Sequence, residues 1–419
     1  MFDGDDMKYK STVMHIDVNS AFLSWHSAYY RQIGIKNDFL NSPTVIGGNE
    51  KKRHGIVLAK SIPAKKSGVK TGQSLMEARL ACPNLKIIHP RYDVYVKASK
   101  GLREFLKTYT PEVDVFSIDE CFINFTDKNT DYIALAYEIK DKIRRNFGYT
   151  VNIGVSNNKL LAKQASEFEK PNKVHTLYKE EIEDKLWPLD VSELFMIGRR
   201  TAPKLKKLGI NTIGELANCD YDLLVAALKS HGKLIYNYSW GIDDSLFSQK
   251  NDIKGIGNGN TISFDVEERQ VAYKIIMSLC ENVGMRLRKE NKLCRVVSIG
   301  IKNKNFKYSI KQKKIDYYTS STEEIIEVSK ELFDKLWDKS PIRHMNIRVS
   351  DFVDKNKKQM NFFEKEDLLQ KERLDETIDK IREKYGDYSI IKASYLDSGI
   401  EPIMGGYPSE EYPDMKSIL

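Results

Sequence analysis

At 419 residues the chain exceeds what one hydrophobic core supports and implies two to four domains. Its 41% hydrophobic and 30% charged residues describe a soluble globular protein, and no apolar run reaches the length of a membrane span, which excludes an embedded function. A formal net charge of +8 suits a polyanionic partner without demanding one. Five scattered cysteines with no Cys-x-x-Cys point to a reducing cytosol, with no disulfide framework or zinc site.

The start, Met1 to Asp6, is acidic and lacks the basic-then-apolar plan of a secretory leader, so the expected location is cytoplasmic. Residues 12–19 alternate into a strand ending at Asp17. Asn19 to Tyr30 then reads as a helix with Phe22, Trp25, His26 and Tyr29 on one face. Phe22 fits a core position. If Asp17 holds metal, Phe22 also lies one turn into the next element, beside a bound nucleotide sugar, where its ring would block a 2′-hydroxyl.

Short strands at 44–48 and 55–59 flank a basic turn. Lys60 to Gly72 follows with four lysines, a proline near a helix start and a glycine where that helix would stop. It reads as a solvated basic helix, or as a triphosphate grip with Lys65 pointing into a site. Lysine serves phosphate as a compact point charge.

A strand at 86–90 and a helix at about 92–109 lead to Ser117-Ile118-Asp119-Glu120-Cys121-Phe122, set between two apolar strand-like runs. The acidic pair suits a hairpin turn. It is costly to bury unless a cation or base neutralises it. Asp17 supplies a third acid, and three carboxylates at strand ends are what two Mg²⁺ ions require, since Mg²⁺ prefers oxygen ligands and completes its shell with phosphates.

An amphipathic helix over 131–147 and a strand over 150–155 come next. A further helix opens at Ser156-Asn157-Asn158-Lys159 and ends before Pro171. Lys159 is a second candidate phosphate ligand, because a helix N-terminus and an ammonium point positive charge the same way. Strands alternating with covering helices predict an α+β sheet carrying its acids at one edge.

Residues 190–220 turn all-helical. Gly198, Arg199 and Gly209 sit at turns like those of helix-hairpin-helix modules, which aim backbone N–H groups at DNA phosphates. A plain helical hairpin is the alternative. The glycine-rich stretch 254–259 reads as a hinge opening a β-α-β-β-α-β unit that runs to 353, the ferredoxin-like pattern. There Phe306, Tyr308 and Ile310 alternate with Lys307, Ser309 and Lys311. One apolar and one basic face would fit a sheet laid across a nucleic-acid backbone. The tail from 355 is polar apart from Gln359-Met360-Asn361-Phe362-Phe363, a pattern suited to a docking peptide. Residues 373–396 hold a helix with no assigned chemistry.

His15 to Phe22, Lys60 to Gly72, Ser117 to Glu120 and Ile153 to Lys163 together resemble the Y-family translesion DNA polymerases of the DinB/UmuC superfamily, most closely the UmuC-like branch of Gram-positive type, over about residues 7–355. The resemblance implies a multidomain right hand: palm at 7–20 and 86–178, fingers at 21–85, helix-hairpin-helix thumb at 179–250, DNA-binding little finger at 255–354, and a C-terminal tail at 355–419. It implies that Asp17 and Asp119 bridge two Mg²⁺ ions, that Glu120 completes the catalytic metal, and that the Val18 carbonyl touches the nucleotide-side metal. Phe22 would be the steric gate, Lys159 a triphosphate lysine, and Gly55 and Ile56 the roof over the nascent base pair.

The implied partners are primer-template DNA, dNTPs, a replication sliding clamp bound through Gln359, Phe362 and Phe363, and accessory proteins of the DNA damage (SOS) response. Two departures stand out. Asn19 replaces a second Asp of many relatives, and Ile62 and Lys65 replace the Tyr and Arg that grip the triphosphate in the DinB-type branch. No added nuclease domain is evident, so proofreading is not expected. A nucleotide cyclase also uses strand-end acids with Mg²⁺ but needs no helix-hairpin-helix or basic sheet. A catalytically inactive DNA-binding protein of the same shape would not need all three acids.

Overall fold

A computed structural model describes residues 11–49, 53, 55–127, 130–245, 247, 252–357, 366–396 and 398–403. The described residues form two compact units, one within 11–48 and 56–247, the other within 252–403 with 49, 53 and 55.

The first unit is built on β1 (Thr12–Val18), buried at six of seven positions. It is followed by α1 (Ala21–Gln32). β2 (Thr44–Gly47), β3 (Val57–Lys60) and β4 (Lys86–Ile88) make a small sheet of order β3-β2-β4, with α2 (Ile62–Lys66) and α3 (Leu75–Ala81) closing a core of Val45, Val57, Ala64 and Leu75. Next come α4 (Tyr92–Lys107), β5 (Val113–Val115), β6 (Glu120–Phe125), α5 (Tyr132–Phe147), β7 (Val151–Ser156), α6 (Lys159–Ser166) and β8 (Val174–Thr176). The large sheet has the order β5-β6-β1-β7-β8, with β1 antiparallel to both neighbours.

Side chains alternate across a strand, so β1 serves two faces. Met14, Ile16 and Val18 join Trp25, Tyr95, Leu102 and Ile139 in one core. Val13, His15 and Asp17 take the opposite face, where Val13 and Phe122 pack against Ala162 of α6. α6 approaches β7 closely because Gly154 has no side chain. A Cβ there would lie 1.9 Å from the Ala162 carbonyl oxygen.

The helical part holds α7 (Ile182–Lys185), α8 (Ala202–Lys207), α9 (Ile213–Ala217), α10 (Tyr221–Leu228) and α11 (Ser230–Ser239) around Leu186, Leu205, Ile213 and Leu224. α8 ends in a Schellman turn. Gly209 takes a left-handed φ of 80°, its N–H donates to Lys206 O, and the Ile210 N–H donates to Leu205 O. The Thr212 hydroxyl and Glu215 then box the start of α9.

The second unit follows the expected β-α-β-β-α-β order: β9 (Gly255–Val266), α12 (Arg269–Lys289), β10 (Lys292–Asn303), β11 (Tyr308–Thr319), α13 (Thr322–Leu336) and β12 (Ile342–Asp354). Its antiparallel sheet has the order β11-β10-β12-β9, so β12 splits the β9-α12-β10 unit.

Three expectations change here. The 254–259 stretch is no hinge, because Gly255 to Gly259 lie within β9. A Cβ at Gly255 would fall 2.5 Å from Arg348 Nη2 and one at Gly259 2.6 Å from Asn346 Cβ, so these glycines admit side chains of the neighbouring strand. The faces of β11 are exchanged. Register pairs Lys311 with Ile299 and Ser309 with Ile301, on the helix-covered side, while Tyr308 and Ile310 are 47% and 58% exposed on the other. Sheet register decides the face, and this edge strand's own alternation is misleading because Lys313 reaches Glu331 of α13 at 2.6 Å. Lys307 precedes the strand. Finally, the tail helix is α14 (Glu366–Tyr385), not 373–396. It is fixed by buried Arg382 donating to Glu281 (2.9 Å) and by Arg288 bridging Asp375 and Asp379. Gln359, Phe362 and Phe363 lie outside the described residues.

Candidate active site

Asp17 is the last outward-facing residue of β1, and the antiparallel register sets it directly opposite Glu120, the first residue of β6. Asp119 stands in the turn just before. Its carbonyl accepts from the Val18 N–H at 3.1 Å, and its carboxylate accepts from the Ser117 hydroxyl at 2.6 Å. The acidic pair is thus both the turn the sequence suggested and a site. Asp17, Glu120 and Glu167, which follows α6, each bring one carboxylate oxygen within 4.8 Å of the others.

Like charges this close must be compensated. Lys163 donates to Glu120 at 2.9 Å, and Lys170 pairs with both Asp17 and Glu167. Even so, burial, reinforced by Glu120 and Glu167 and opposed by Lys170, pushes the Asp17 carboxyl up from 3.8 to about 7. Burial, then Lys163 and Lys170, hold His15 well below its ordinary range, so the imidazole beneath the acids is neutral.

A cavity of about 370 Å³ opens beside these acids. Asp17, Val18, Asp119 and Phe22 line one side, and Lys60, Lys65 and Lys170 bring three ammonium groups to it. Ser61 caps α2 by accepting from the Ala64 N–H, which sets Lys65 at the mouth. Lys60 has its pKa lowered by burial and then by Lys65. Phe22 stacks on Tyr95 at 4.6 Å and 10°.

The structure brings together Asp17, Val18, Phe22, Lys65 and Asp119, with Glu120 opposite Asp17. It separates Lys159, whose ammonium pairs with Asp114 at 2.7 Å and does not line the cavity. Lys159 does open α6, but its side chain runs down the sheet toward β5, and it is Lys170 that lines the cavity. Ile56 bridges Ser74, is 46% exposed and does not line the cavity. Asn19 also lines the cavity, with its amide nitrogen donating to Asn152 and its amide oxygen accepting from the Asn172 N–H.

Gly198 and Arg199 are exposed ahead of α8. The Gly209 N–H is consumed by the Schellman turn, so it does not offer a phosphate donor. Glu167, Lys163 and Lys170 were missed because they sit on or just past α6, where a lysine or glutamate reads as solvated surface. The signal available was spacing, as Lys159 and Lys163 are one turn apart on the face that packs on β1. A larger cavity of about 760 Å³ in the second unit is lined by ion-paired residues of α12 and α14, and no predicted acid reaches it.

A family model for the impB/mucB/samB family matches residues 16–167, its C-terminal domain matches 253–362, and the IMS family HHH motif matches 179–210. The chain is 44% identical to DNA polymerase IV of Clostridium acetobutylicum over 92% of its length and 98% of the relative. It is 35% identical to DNA polymerase IV of Acetivibrio thermocellus, over 94% and 100%. These two relatives carry the name DNA polymerase IV, and neither carries a UmuC name. A Y-family DNA polymerase chimera, Dbh-Dpo4(243-245)-Dbh, superposes with a TM-score of 0.69 at 21% identity, covering 82% of this chain and 99% of the other, and so shares the fold. On the matches over most of its length, the chain belongs to the Y family of DNA polymerases, in its DinB/IMS group.

Proposed function

We propose that the chain adds dNTPs to a primer 3′ end under template direction and past damaged bases, as a DNA-directed DNA polymerase of the translesion type without proofreading. The observation that carries this reading is the meeting of Asp17, Asp119 and Glu120 at one end of the sheet, beside a cavity holding Phe22 and three lysines.

The donor set fits two Mg²⁺ ions. It is all hard oxygen, the Asp17 carboxyl is held near 7 by burial and neighbouring acids, and Lys163 and Lys170 hold positions a divalent cation would take over in neutralising them. Bound there, the ions would lower the pKa of the primer hydroxyl and stabilise charge on the phosphate oxygens. Asp17 and Asp119 would ligate both ions, Glu120 the catalytic one, and the Val18 carbonyl the nucleotide-side one. Lys65 and Lys170 orient the triphosphate as point charges. The Phe22 ring excludes a 2′-hydroxyl, and Ile56 with Gly55 covers the base pair.

Gly198 and Arg199 in the first unit, and Lys307 in the second, are the proposed contacts to the DNA backbone; Lys311 drops out because it stands on the helix-covered side. Gln359, Phe362 and Phe363 form the proposed peptide for a sliding clamp. Accessory proteins of the damage response are further proposed partners. Among the described residues no helix is long and apolar enough to cross a membrane; the cytoplasm is the proposed site of action. Extension of a labelled primer across an abasic template, with dNTPs and Mg²⁺, tests the reading. Products past the lesion are expected, and no extension even on undamaged template would refute it. Calorimetry of clamp binding by a Gln359→Ala, Phe362→Ala variant tests the peptide, with weakened affinity expected.

A further inference from the structure

The proposed gate, Phe22, is half-buried and is held by three aromatic rings. Tyr95 stacks flat on it at 4.6 Å and 10°, and Tyr92 and Trp25 approach at 6.0 and 6.3 Å. A flat stack fixes the plane of the partner ring and how far it reaches along the stacking direction, so the position of Tyr95 sets that of Phe22. Tyr95 comes from α4, is fully buried, and carries a hydroxyl that needs a partner inside the core. That partner is His26 Nδ1, at 3.1 Å, from the next turn of the helix that carries Phe22. His26 is fixed in turn by stacking on Tyr30 at 4.9 Å and by the edge of Phe39 at 6.1 Å. Among the described residues its Nε2 has no hydrogen-bond partner, so the Tyr95 hydroxyl makes the ring's hydrogen bond there.

We propose that His26 is a positioning residue for sugar selection, acting through the Tyr95 hydroxyl to fix the ring of Phe22 against the nucleotide. This rests on the reading of Phe22 as the steric gate. His26 is four residues from Phe22, one helical turn away, so α1 supplies the gate at one end of its turn and the anchor of the gate's backing ring at the other. The link is one hydrogen bond in either imidazole tautomer. Burial, then Arg91, lower the pKa of His26, so the ring that makes this bond is neutral.

The test is single-nucleotide insertion of dNTP and rNTP by the full-length protein, with kcat and KM measured separately for wild type, Phe22→Ala, Tyr95→Phe, His26→Leu and His26→Asn. The asparagine amide of the last variant can present a polar atom close to the position of Nδ1. Tyr95→Phe and His26→Leu are each expected to raise the rNTP/dNTP ratio of kcat/KM about 3- to 10-fold, through a lower rNTP KM. The double variant is expected to do no more than either single one, and His26→Asn to restore most of the discrimination. A purely structural loss would instead lower both substrates together and leave the ratio unchanged. If Phe22→Ala relaxes the ratio while Tyr95→Phe and His26→Leu leave it at the wild-type value, the positioning role is overturned. If Phe22→Ala itself leaves the ratio unchanged, the gate reading fails first.

Discussion

Lys163 Nζ donates to Glu120 Oε1 at 2.9 Å across the α6–β6 contact, both side chains being largely buried. The ammonium also lies over the Phe116 ring at 4.7 Å. Removing it leaves a carboxylate desolvated and facing Asp17 without its own cation. Lys163→Met should therefore lower the stability of the metal-free protein by about 1–3 kcal/mol. Millimolar Mg²⁺ should recover part of that loss, because a cation that binds only the native state stabilises it. Thermal unfolding with and without Mg²⁺ measures both effects, and an unchanged melting temperature without metal would contradict the pairing.

Asp17 makes stability depend on pH in the unusual direction. Its carboxyl titrates near 7 when folded and near 3.8 when unfolded, so between these values the native state holds more protons. Stability from this group is full below about pH 4 and is lost as pH rises toward 7. Asp17→Asn should stabilise the metal-free protein by roughly 1–3 kcal/mol at pH 8 and by much less at pH 5. Urea unfolding at the two pH values checks the sign.

Lys159 at the start of α6 and Lys170 beyond its end separate sequence expectation from geometry. Lys170 lines the cavity beside the acids and Lys159 is bound to Asp114. Lys170→Ala should raise the KM for dNTP roughly 10-fold. Lys159→Ala should leave KM near the wild-type value and show its effect in stability. Steady-state insertion kinetics decide, and the reverse order of effects would return the role to Lys159.

Gly154 determines how near α6 lies to the sheet. With backbone atoms 1.9 and 2.5 Å from where a Cβ would stand, Gly154→Ala must push α6 outward. A loss of about 3 kcal/mol or more is expected. Primer extension should fall with it, because α6 carries Lys163 and leads to Glu167 and Lys170. Equilibrium denaturation would refute this if Gly154→Ala were as stable as wild type.

Much of the site was readable because acids in apolar strands are conspicuous. Asp17, Asp119 and Glu120 break strand patterns that periodicity alone defines, Phe22 follows Asp17 at short range, and Lys65 stands out in a lysine-rich run. The partners of those acids were not readable. Lys163, Glu167 and Lys170 come from a helix and its exit some 150 residues from Asp17, and pairing across that separation is set by the packing of α6 on Gly154. Local alternation also failed at β11, where register against β10 sends Lys311 to the helix side. It failed again at Gly255 to Gly259, which accommodate Arg348 and Asn346 within a strand and leave no hinge.

Catalysis on this reading depends on the carboxylates of Asp17, Asp119 and Glu120 forming one metal site. Single-turnover primer extension by Glu120→Gln and Asp17→Asn, beside primer-template binding by the same proteins, tests it most directly. Each variant should extend the primer at least about a thousandfold more slowly than wild type while binding DNA within about twofold of it. Extension by Glu120→Gln at the wild-type rate would contradict it.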